Sequence, residues 1–306
     1  MTRHYTLLSL LFILFLALPS CNNFEGPQTV PAYIRIDTMM VNCDYYTYGA
    51  NTHNFTDAWV YIDDDIIGIY ELPAMIPVLA QGKHEVEIRP GIKVNGIAQT
   101  RADYPFMAPV EYKDVELVPD SVITFRPVFN YLPDGDNFHV RWIEDFDGGF
   151  VSLEATTSSD VACHRVNGPQ AWHDAGGIYS SYSGQFVLTS DTLRFQVATS
   201  EQFEDLPTTG AACMLEMDYK CSDTCLIGLY YKDGSIYDYP IYRVNPTSES
   251  GVDPDRWKKV YINIGPYLVE NESADYFKLY ISSWNPRNDG TQYFYFDNLK
   301  LIYRDR

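Results

Sequence analysis

Residues 226–243 read LIGLYYKDGSIYDYPIYR, and this stretch decides the fold class. Two runs rich in β-branched and aromatic residues flank the turn Lys232-Asp233-Gly234-Ser235, which is the pattern of a β-hairpin. Alternations of apolar and polar residues recur on both sides of this segment, and no segment favours a helix longer than about two turns. The sequence therefore predicts an all-β protein.

The chain of 306 residues divides at a turn-rich stretch, residues 132–137, which we interpret as a linker. Before it, residues 32–131 hold short strand patterns separated by turn residues, at a spacing typical of a β-sandwich. After it, residues 138–306 are again rich in strand patterns. We therefore expect two β-sandwich domains joined by a short linker.

The charge balance excludes whole classes of partner. The chain has 22 Lys and Arg against 41 Asp and Glu, which gives a formal net charge of −19. Binding to nucleic acid needs clustered positive charge, so we expect no nucleic-acid partner. Docking on an anionic lipid surface through a basic patch is excluded for the same reason.

The N-terminus carries a targeting segment. Arg3 and His4 precede an apolar run from Leu7 to Leu18, which is too short to span a bilayer and typical of a signal peptide over residues 1–20. The run ends at Leu18-Pro19-Ser20-Cys21, which resembles a bacterial lipoprotein box. The resemblance implies that Cys21 is acylated and begins the mature chain, with residues 21–31 as a tether. The alternative is an ordinary secreted protein in which Cys21 has no special role.

The residues that follow Cys21 bear on location. Asn22-Asn23-Phe24-Glu25 resembles a weakened form of the acidic export signal of Bacteroidota lipoproteins. That resemblance implies lipid anchoring in the outer membrane. It leaves two alternatives open, exposure at the cell surface and attachment facing the periplasm.

Part of the first block resembles a known module. Trp59-Val60-Tyr61-Ile62-Asp63 and Gly82-Lys83-His84-Glu85-Val86-Glu87-Ile88 are similar to the strand and turn motifs of immunoglobulin-like modules of the PEGA type. Such modules are usually spacers or interaction domains on envelope proteins. The resemblance therefore implies a supporting or interacting role for residues 32–131.

The second block resembles a carbohydrate-binding jelly roll at its two ends. Residues 144–149, EDFDGG, are similar to the opening strand motif of that family, and residues 294–301, FYFDNLKL, to its closing strand. The family pairs its first and last strands, and their carboxylates often hold a structural Ca²⁺. By this resemblance Asp145, Asp147 and Asp297 are candidate ligands of a structural calcium, and no other cofactor is expected. The alternative is that they are ordinary turn and strand-end carboxylates.

Aromatic residues supply the candidate ligand-binding positions. Sugar rings stack on exposed aromatic faces, and tyrosine adds a hydroxyl that can form hydrogen bonds. On the hairpin, Tyr231, Tyr237 and Tyr239 fall at positions that place them on one face, and Trp172 lies in a Gly- and Ser-rich loop. With Trp284 these residues form the predicted site for a glycan or a protein partner, since partners also use tyrosine-rich faces.

Catalytic and metal-binding patterns are scarce. The sequence has no G-x-S-x-G, H-E-x-x-H, G-x-x-x-x-G-K or G-x-G-x-x-G motif, so we expect no enzyme. Besides Cys21 there are five cysteines, an odd number, which we interpret as structural or free thiols, although Cys221 and Cys225 are close enough to close a small loop. These five are listed here: Cys43, Cys163, Cys213, Cys221 and Cys225.

The sequence leaves three functions in order. The first is an accessory or scaffold subunit, anchored in the outer membrane, that binds an outer-membrane protein. The second is a surface glycan-binding lipoprotein that uses the aromatic platform on the jelly roll. The third, a glycan hydrolase, requires two carboxylates placed on either side of a glycosidic bond, and no residue pair stands out for that role.

Overall fold

The computed structural model describes residues 30–135, 137–174, 176–178, 180–286 and 290–305. Cys21, the signal peptide and nearly all of the tether lie outside these residues. Strands dominate the described chain, and its helices are short: α1 (Tyr45–Tyr48), α2 (Gly265–Glu270) and a 3₁₀ turn at Gly168–Gln170. The prediction of an all-β protein is confirmed.

The strands fall into two groups along the chain. The first group comprises β1 (Ala32–Ile36), β2 (Met40–Val41), β3 (Asp57–Ile62), β4 (Asp65–Glu71), β5 (Ala74–Val78), β6 (Gly82–Lys93), β7 (Arg101–Asp103), β8 (Val110–Leu117), β9 (Val122–Phe125) and β10 (Val128–Phe129). The second comprises β11 (His139–Glu144), β12 (Leu153–Ala155), β13 (His164–Val166), β14 (Ser183–Leu188), β15 (Arg194–Thr199), β16 (Cys213–Cys221), β17 (Cys225–Asp233), β18 (Ser235–Val244), β19 (Lys258–Asn263), β20 (Tyr276–Trp284) and β21 (Gln292–Tyr303). The named strands of each group pair only within that group, and residues 132–137 lie between the groups.

The first group forms a sheet β4-β3-β6-β7 with β8 also on β6, a sheet β5-β1-β9 and the small pair β10-β2. The β3–β4 hairpin turns at Asp63 and Asp64, which both have positive φ. His84 Nδ1 lies 2.6 Å from the Asp63 carboxylate, which also accepts a hydrogen bond from the Glu85 backbone N–H at 2.9 Å. These hydrogen bonds lower the pKa of Asp63, so this part of the acidic turn braces β6. The PEGA-type assignment stays a prediction.

The second group forms two facing sheets. The back sheet has the order β13-β14-β21-β16-β19, with β11 also paired to β21, and the front sheet has the order β12-β15-β20-β17-β18. Between them lies an apolar core that contains Phe186, Phe195, Phe294 and Phe296. The first and last strands of this group, β11 and β21, pair antiparallel.

The hairpin that opened the sequence analysis is β17 and β18. Its strands pair antiparallel from Cys225 opposite Val244 to Asp233 opposite Ser235. The turn is therefore tighter than the four residues expected, and Gly234 adopts a φ of +64°, which glycine reaches without strain.

The first group packs on the outward side of the back sheet. Along β16, Leu215 and Met217 enter the core between the sheets, whereas Met214 points the other way and joins the apolar cluster of the first group, as Tyr261 and Ile302 do. Polar contacts reinforce this interface: Asn54 N–H donates to the Tyr261 hydroxyl at 2.9 Å. The back sheet is thus buried on both sides.

A charged cluster lies inside that interface. The Glu216 carboxylate is fully buried, accepts hydrogen bonds from the hydroxyls of Tyr104 and Tyr131, and lies 2.9 Å from Lys259 Nζ. Burial alone would raise the pKa of Glu216, but Lys259, Lys300 and the two hydroxyls together lower it to about 2. The interface is therefore held by a charge-assisted network as well as by apolar contact.

All five cysteines named above are free thiols, so Cys221 and Cys225 do not close a loop. In the described part of the chain, no helix is long and apolar enough to cross a membrane.

Candidate functional site

The front sheet offers the sheet face of the second group that is turned away from both cores. Strand alternation decides which side chains it carries. On β20, Leu279 and Ile281 belong to the core, so Tyr280, Ser282 and Trp284 lie on the other face. We call that side of the front sheet the outer face; it carries Arg194, Leu226, Gly228, Tyr230, Tyr280, Ser282 and Trp284.

A pocket of about 530 Å³ opens at one end of the outer face. We call it the front pocket. Trp284 lines it and is 64% exposed, an unusual exposure for the largest aromatic side chain. The remaining lining is mostly polar and comes from strands and loops far apart in sequence, among them Arg194, Asp223, Arg243, Asn285 and Gln292.

Two buried amides in the front pocket keep an oxygen free. Gln292 Nε2 donates to the Asp223 carboxylate at 2.8 Å, and Asn285 Nδ2 donates to the Gly290 carbonyl at 3.0 Å. Because both nitrogens face acceptors, the Oε1 and Oδ1 atoms are the free ends. Neither oxygen has a hydrogen-bond partner among the described residues, and both side chains are buried. A buried acceptor without a partner costs free energy, so these atoms favour a ligand that donates hydrogen bonds.

Two arginines add donors to the same pocket. Arg194 Nη2 donates to the neutral Gln196 amide oxygen at 3.1 Å, which leaves its other N–H groups available, and Arg243 is exposed. A guanidinium offers five donors in one plane. The front pocket thus combines an exposed indole plane, free acceptors and free donors.

The outer face continues from the pocket toward the hairpin end. The rings of Tyr230 and Tyr280 lie 4.8 Å apart at an angle of 40°. A Cβ atom added to Gly228 would lie 2.3 Å from Cζ of Tyr280, so glycine is required for the ring to lie across the strand. Burial raises the pKa of both tyrosines, which therefore stay protonated and can donate a hydrogen bond at neutral pH.

The three tyrosines predicted as a platform lie on the opposite side of the same hairpin. Tyr231 and Tyr237 face each other across β17 and β18, with stacked rings 5.3 Å apart. Tyr239 lies opposite the core residue Leu229, and its hydroxyl donates to Glu270 of α2 at 2.8 Å. The structure brings these tyrosines together, but not with Trp284.

Trp172 lies at a third place, in a cleft of about 850 Å³ where the first group of strands meets the second. The five aromatic residues predicted as one site are therefore divided among the front pocket, the core-side face of the hairpin and this cleft. Sequence reasoning missed Arg194, Asn285, Gln292 and Tyr280. Alternation along β20 carried the signal for Tyr280, whereas the others meet only through strand pairing.

The three carboxylates proposed as calcium ligands have protein partners. Asp145 accepts from the Tyr45 hydroxyl at 2.6 Å, and Asp147 accepts from the Tyr182 N–H at 2.7 Å. Asp297 is fully buried, accepts from the Ser183 hydroxyl, and burial raises the pKa of its carboxyl well above the usual value. Among the described residues, no group of three or more His, Cys, Asp or Glu side chains is placed to hold a metal ion. The donor set does not fit calcium.

Comparison with known proteins gives likeness of fold only. No family model matches the chain, and no curated protein matches it. Among solved structures, the chain is similar to a carbohydrate-binding module of the β-sandwich superfamily, with 10% identity over 80% of this chain and 84% of that one, at a TM-score of 0.37. It is also similar to the family 11 carbohydrate-binding module of a Clostridium thermocellum cellulosomal cellulase, with 14% identity over 55% and 95% of the two chains, at a TM-score of 0.34. A family 30 carbohydrate-binding module gives 16% identity over 56% and 86%, at a TM-score of 0.34. Such low identities and TM-scores do not establish a shared ligand.

Proposed function

We propose that this protein is a non-catalytic glycan-binding protein and that the front pocket is its binding site. The observation that carries the proposal is Trp284, an exposed indole beside two buried amide oxygens that lack partners. A pyranose ring has an apolar face of C–H groups and a rim of hydroxyls. An aromatic plane suits the face, and fixed acceptors and donors suit the rim.

The charges in the pocket favour a sugar over other ligands. The chain's net charge of −19 disfavours polyanions such as nucleic acid. Hydroxyl groups both donate and accept, so they match a site that presents amide oxygens together with guanidinium N–H groups. A purely apolar ligand would leave Asn285 Oδ1 and Gln292 Oε1 without partners, at an energetic cost.

Binding without turnover fits the carboxylates of the pocket. Among its described lining residues the front pocket has one carboxylate, Asp223, which accepts from Gln292 Nε2 at 2.8 Å and from the Thr224 N–H at 2.6 Å. Glycoside hydrolysis usually needs two carboxyl groups, one of them free to protonate the leaving oxygen. This supports a binding role for the pocket.

We also propose that the protein is anchored in the outer membrane through an acylated Cys21. The apolar run from Leu7 to Leu18 and the Leu18-Pro19-Ser20-Cys21 sequence support this proposal. The chain from Cys21 to the start of β1 would serve as the tether. Mass spectrometry of the N-terminal peptide tests it, with a diacylglyceryl group on Cys21 as the expected result and an unmodified or absent Cys21 as the contradicting one.

The binding proposal is tested by electrophoretic retardation in native gels that contain one soluble polysaccharide each. The full chain should be retarded by at least one of mixed-linkage glucan, xyloglucan, galactomannan and arabinoxylan. Trp284→Ala should abolish that retardation, while Tyr46→Ala should retain it, because Tyr46 is 93% exposed and does not line the pocket. Retention of full retardation by Trp284→Ala would rule out this site.

The accessory-subunit hypothesis stays a prediction, and one observation favours it. Strand β4 lies at the edge of its sheet and exposes Ile66, Ile67 and Ile69. An apolar edge strand is a surface on which another protein can add a strand. Co-purification of a stoichiometric outer-membrane protein from native membranes, lost on Ile67→Lys, would support it, and recovery of the protein alone would contradict it.

A further inference from the structure

We propose that the cleft between the two groups of strands is a second saccharide-binding site, separate from the front pocket. We call it the junction cleft. Residues 52–54 and 95–96 of the first group form one side, and Trp172, Tyr242, Asp255, Arg256 and Trp257 of the second group line the rest. Its volume of about 850 Å³ lies within the range of small-molecule binding sites, about 300–1,000 Å³.

The first-group side of the cleft is held rigidly by strand β19. Asn54 Nδ2 donates to the Lys259 carbonyl at 3.1 Å. Asn95 N–H donates to the Tyr261 carbonyl at 2.8 Å, and Asn95 Oδ1 accepts from the Asn263 N–H at 2.9 Å. These contacts fix the shape of the cleft before a ligand arrives, which reduces the entropy lost on binding.

The second-group side supplies aromatic planes. Trp172 and Trp257 are both half-buried, so part of each indole is accessible. Lys220 Nζ lies 5.1 Å from the Trp257 ring centroid, and the Tyr295 ring packs against the same indole at 6.5 Å. The backbone of Trp172 is fixed by its N–H, which donates to the Ser183 hydroxyl at 2.7 Å. The indoles are thus positioned by neighbouring residues rather than free to collapse together.

Two buried polar atoms of the cleft lack partners among the described residues. They are Nε1 of Trp257, which can only donate, and Nδ1 of His53. Burial lowers the pKa of His53 to about 4, so its imidazole is neutral at neutral pH. The acidic and basic groups at the surface of the cleft, Asp174 and Asp255 against Arg256 and Lys258, balance in number. A neutral, hydroxyl-rich ligand fits this chemistry better than an anion or a cation.

The arrangement resembles the front pocket in kind but not in residues. Three of the chain's five tryptophans line the two sites, Trp284 in the front pocket and Trp172 and Trp257 in the junction cleft. The other two tryptophans, Trp59 and Trp142, line neither site. Binding at the two sites can therefore be separated by single substitutions and followed by tryptophan fluorescence.

The test titrates the full chain with cellohexaose, xylohexaose, mannohexaose and maltohexaose by calorimetry and fluorescence. The Trp284→Ala chain should still bind at least one of the four, and Trp172→Ala added to it should weaken that binding by about tenfold or more. Trp172→Phe in the same background keeps an aromatic plane and should restore affinity to within about threefold. Tyr46→Ala serves as the matched control on an exposed aromatic residue.

The outcomes separate the two sites. Equal binding by the Trp284→Ala chain with and without Trp172→Ala overturns the junction site, as does the absence of binding of all four probes to the Trp284→Ala chain. If Trp172→Ala alone abolishes binding while Trp284→Ala has no effect, the junction site stands and the front pocket fails.

Discussion

The side-chain nitrogen of Gln292 donates a hydrogen bond to Asp223 at 2.8 Å, and this contact orients the Gln292 oxygen as a free acceptor. Gln292 begins β21 of the back sheet, whereas Asp223 lies in the turn between β16 and β17. The front pocket therefore depends on a contact between the end of the back sheet and the loop that connects it to the front sheet.

Replacing Gln292 by methionine removes the acceptor while keeping the length of the side chain. Glycan affinity should fall by about threefold to tenfold, the range expected for one neutral hydrogen bond of about 0.5–1.5 kcal/mol. Calorimetry on the full chain measures it. The control is Gln185→Met, because Gln185 lies on β14 and does not line the pocket. Equal losses in both variants would contradict a specific role for Gln292.

Gly228 lies directly opposite Tyr280 in the front sheet, and the tyrosine ring covers its backbone. Gly228→Ala should destabilise the protein by about 1–3 kcal/mol, because the new methyl group overlaps the ring and forces it to move. Urea denaturation gives the free energy of unfolding. Gly149→Ala is the matched control, since no atom lies within 4 Å of the added Cβ there. Equal stability of the two variants would show that the ring does not occupy this position.

The buried Glu216 should make the stability of the protein depend on pH in the acid range. The pKa of this carboxyl falls to about 2 on folding, so its contribution is complete above the unfolded value near 4.5 and is lost as the pH falls from there toward 2. Glu216→Gln should lower the free energy of unfolding at neutral pH by about 3 kcal/mol, because Lys259 and Lys300 lose their carboxylate partner. The deficit should shrink at low pH.

Urea denaturation of the wild-type and Glu216→Gln chains, at neutral pH and near pH 3, checks this expectation. Glu204→Gln is the control, since Glu204 is exposed and its substitution should change stability by less than about 0.5 kcal/mol. A Glu216→Gln deficit that is the same at both pH values would mean that the carboxylate does not carry the network.

The buried thiols should be unreactive and unpaired in the folded protein. Cys213, Cys221 and Cys225 are buried, and burial raises the pKa of each thiol, which suppresses the reactive thiolate. Alkylation with iodoacetamide should label these three only after denaturant is added, without any reductant. Recovery of a peptide that joins Cys221 to Cys225 through a disulfide would contradict the structure.

Much of the fold follows from local pattern. The β3–β4 and β17–β18 hairpins are visible in the sequence because β-branched and aromatic runs flank acidic or glycine-containing turns. The absence of long helical periodicity fits the short helices observed in the described chain. The division at residues 132–137 and the PEGA-type likeness remain predictions.

The binding site was only partly accessible from sequence. Trp172 and Trp284 were identified as candidate binders, but the tyrosine platform was assigned to the wrong side for joining Trp284. Tyr230 and Tyr231 are adjacent, so they lie on opposite faces, and the apolar Ile227 and Leu229 place Tyr231 on the core side. Local alternation could have shown this, since a shift of one residue exchanges the faces.

Other features depend on long-range pairing. Arg194 and Trp284 become neighbours only because β15 pairs with β20, and Gln292 meets Asp223 across a separation of 69 residues. The calcium ligands were inferred from strand motifs alone, and the strands do pair, but the carboxylates bond to tyrosine, serine and backbone donors instead. No spacing rule in a single sequence encodes such partners.

The most direct test of the central claim is calorimetric titration of the full chain and its Trp284 variants with a hexasaccharide of whichever polysaccharide retards it. The account predicts saturable binding by the wild-type chain, a loss of affinity of about tenfold or more in Trp284→Ala, and partial recovery in Trp284→Phe, because phenylalanine keeps a smaller aromatic plane. Thermal unfolding should be unchanged, since Trp284 is 64% exposed. Equal affinity in all three chains would contradict the front pocket as the glycan site.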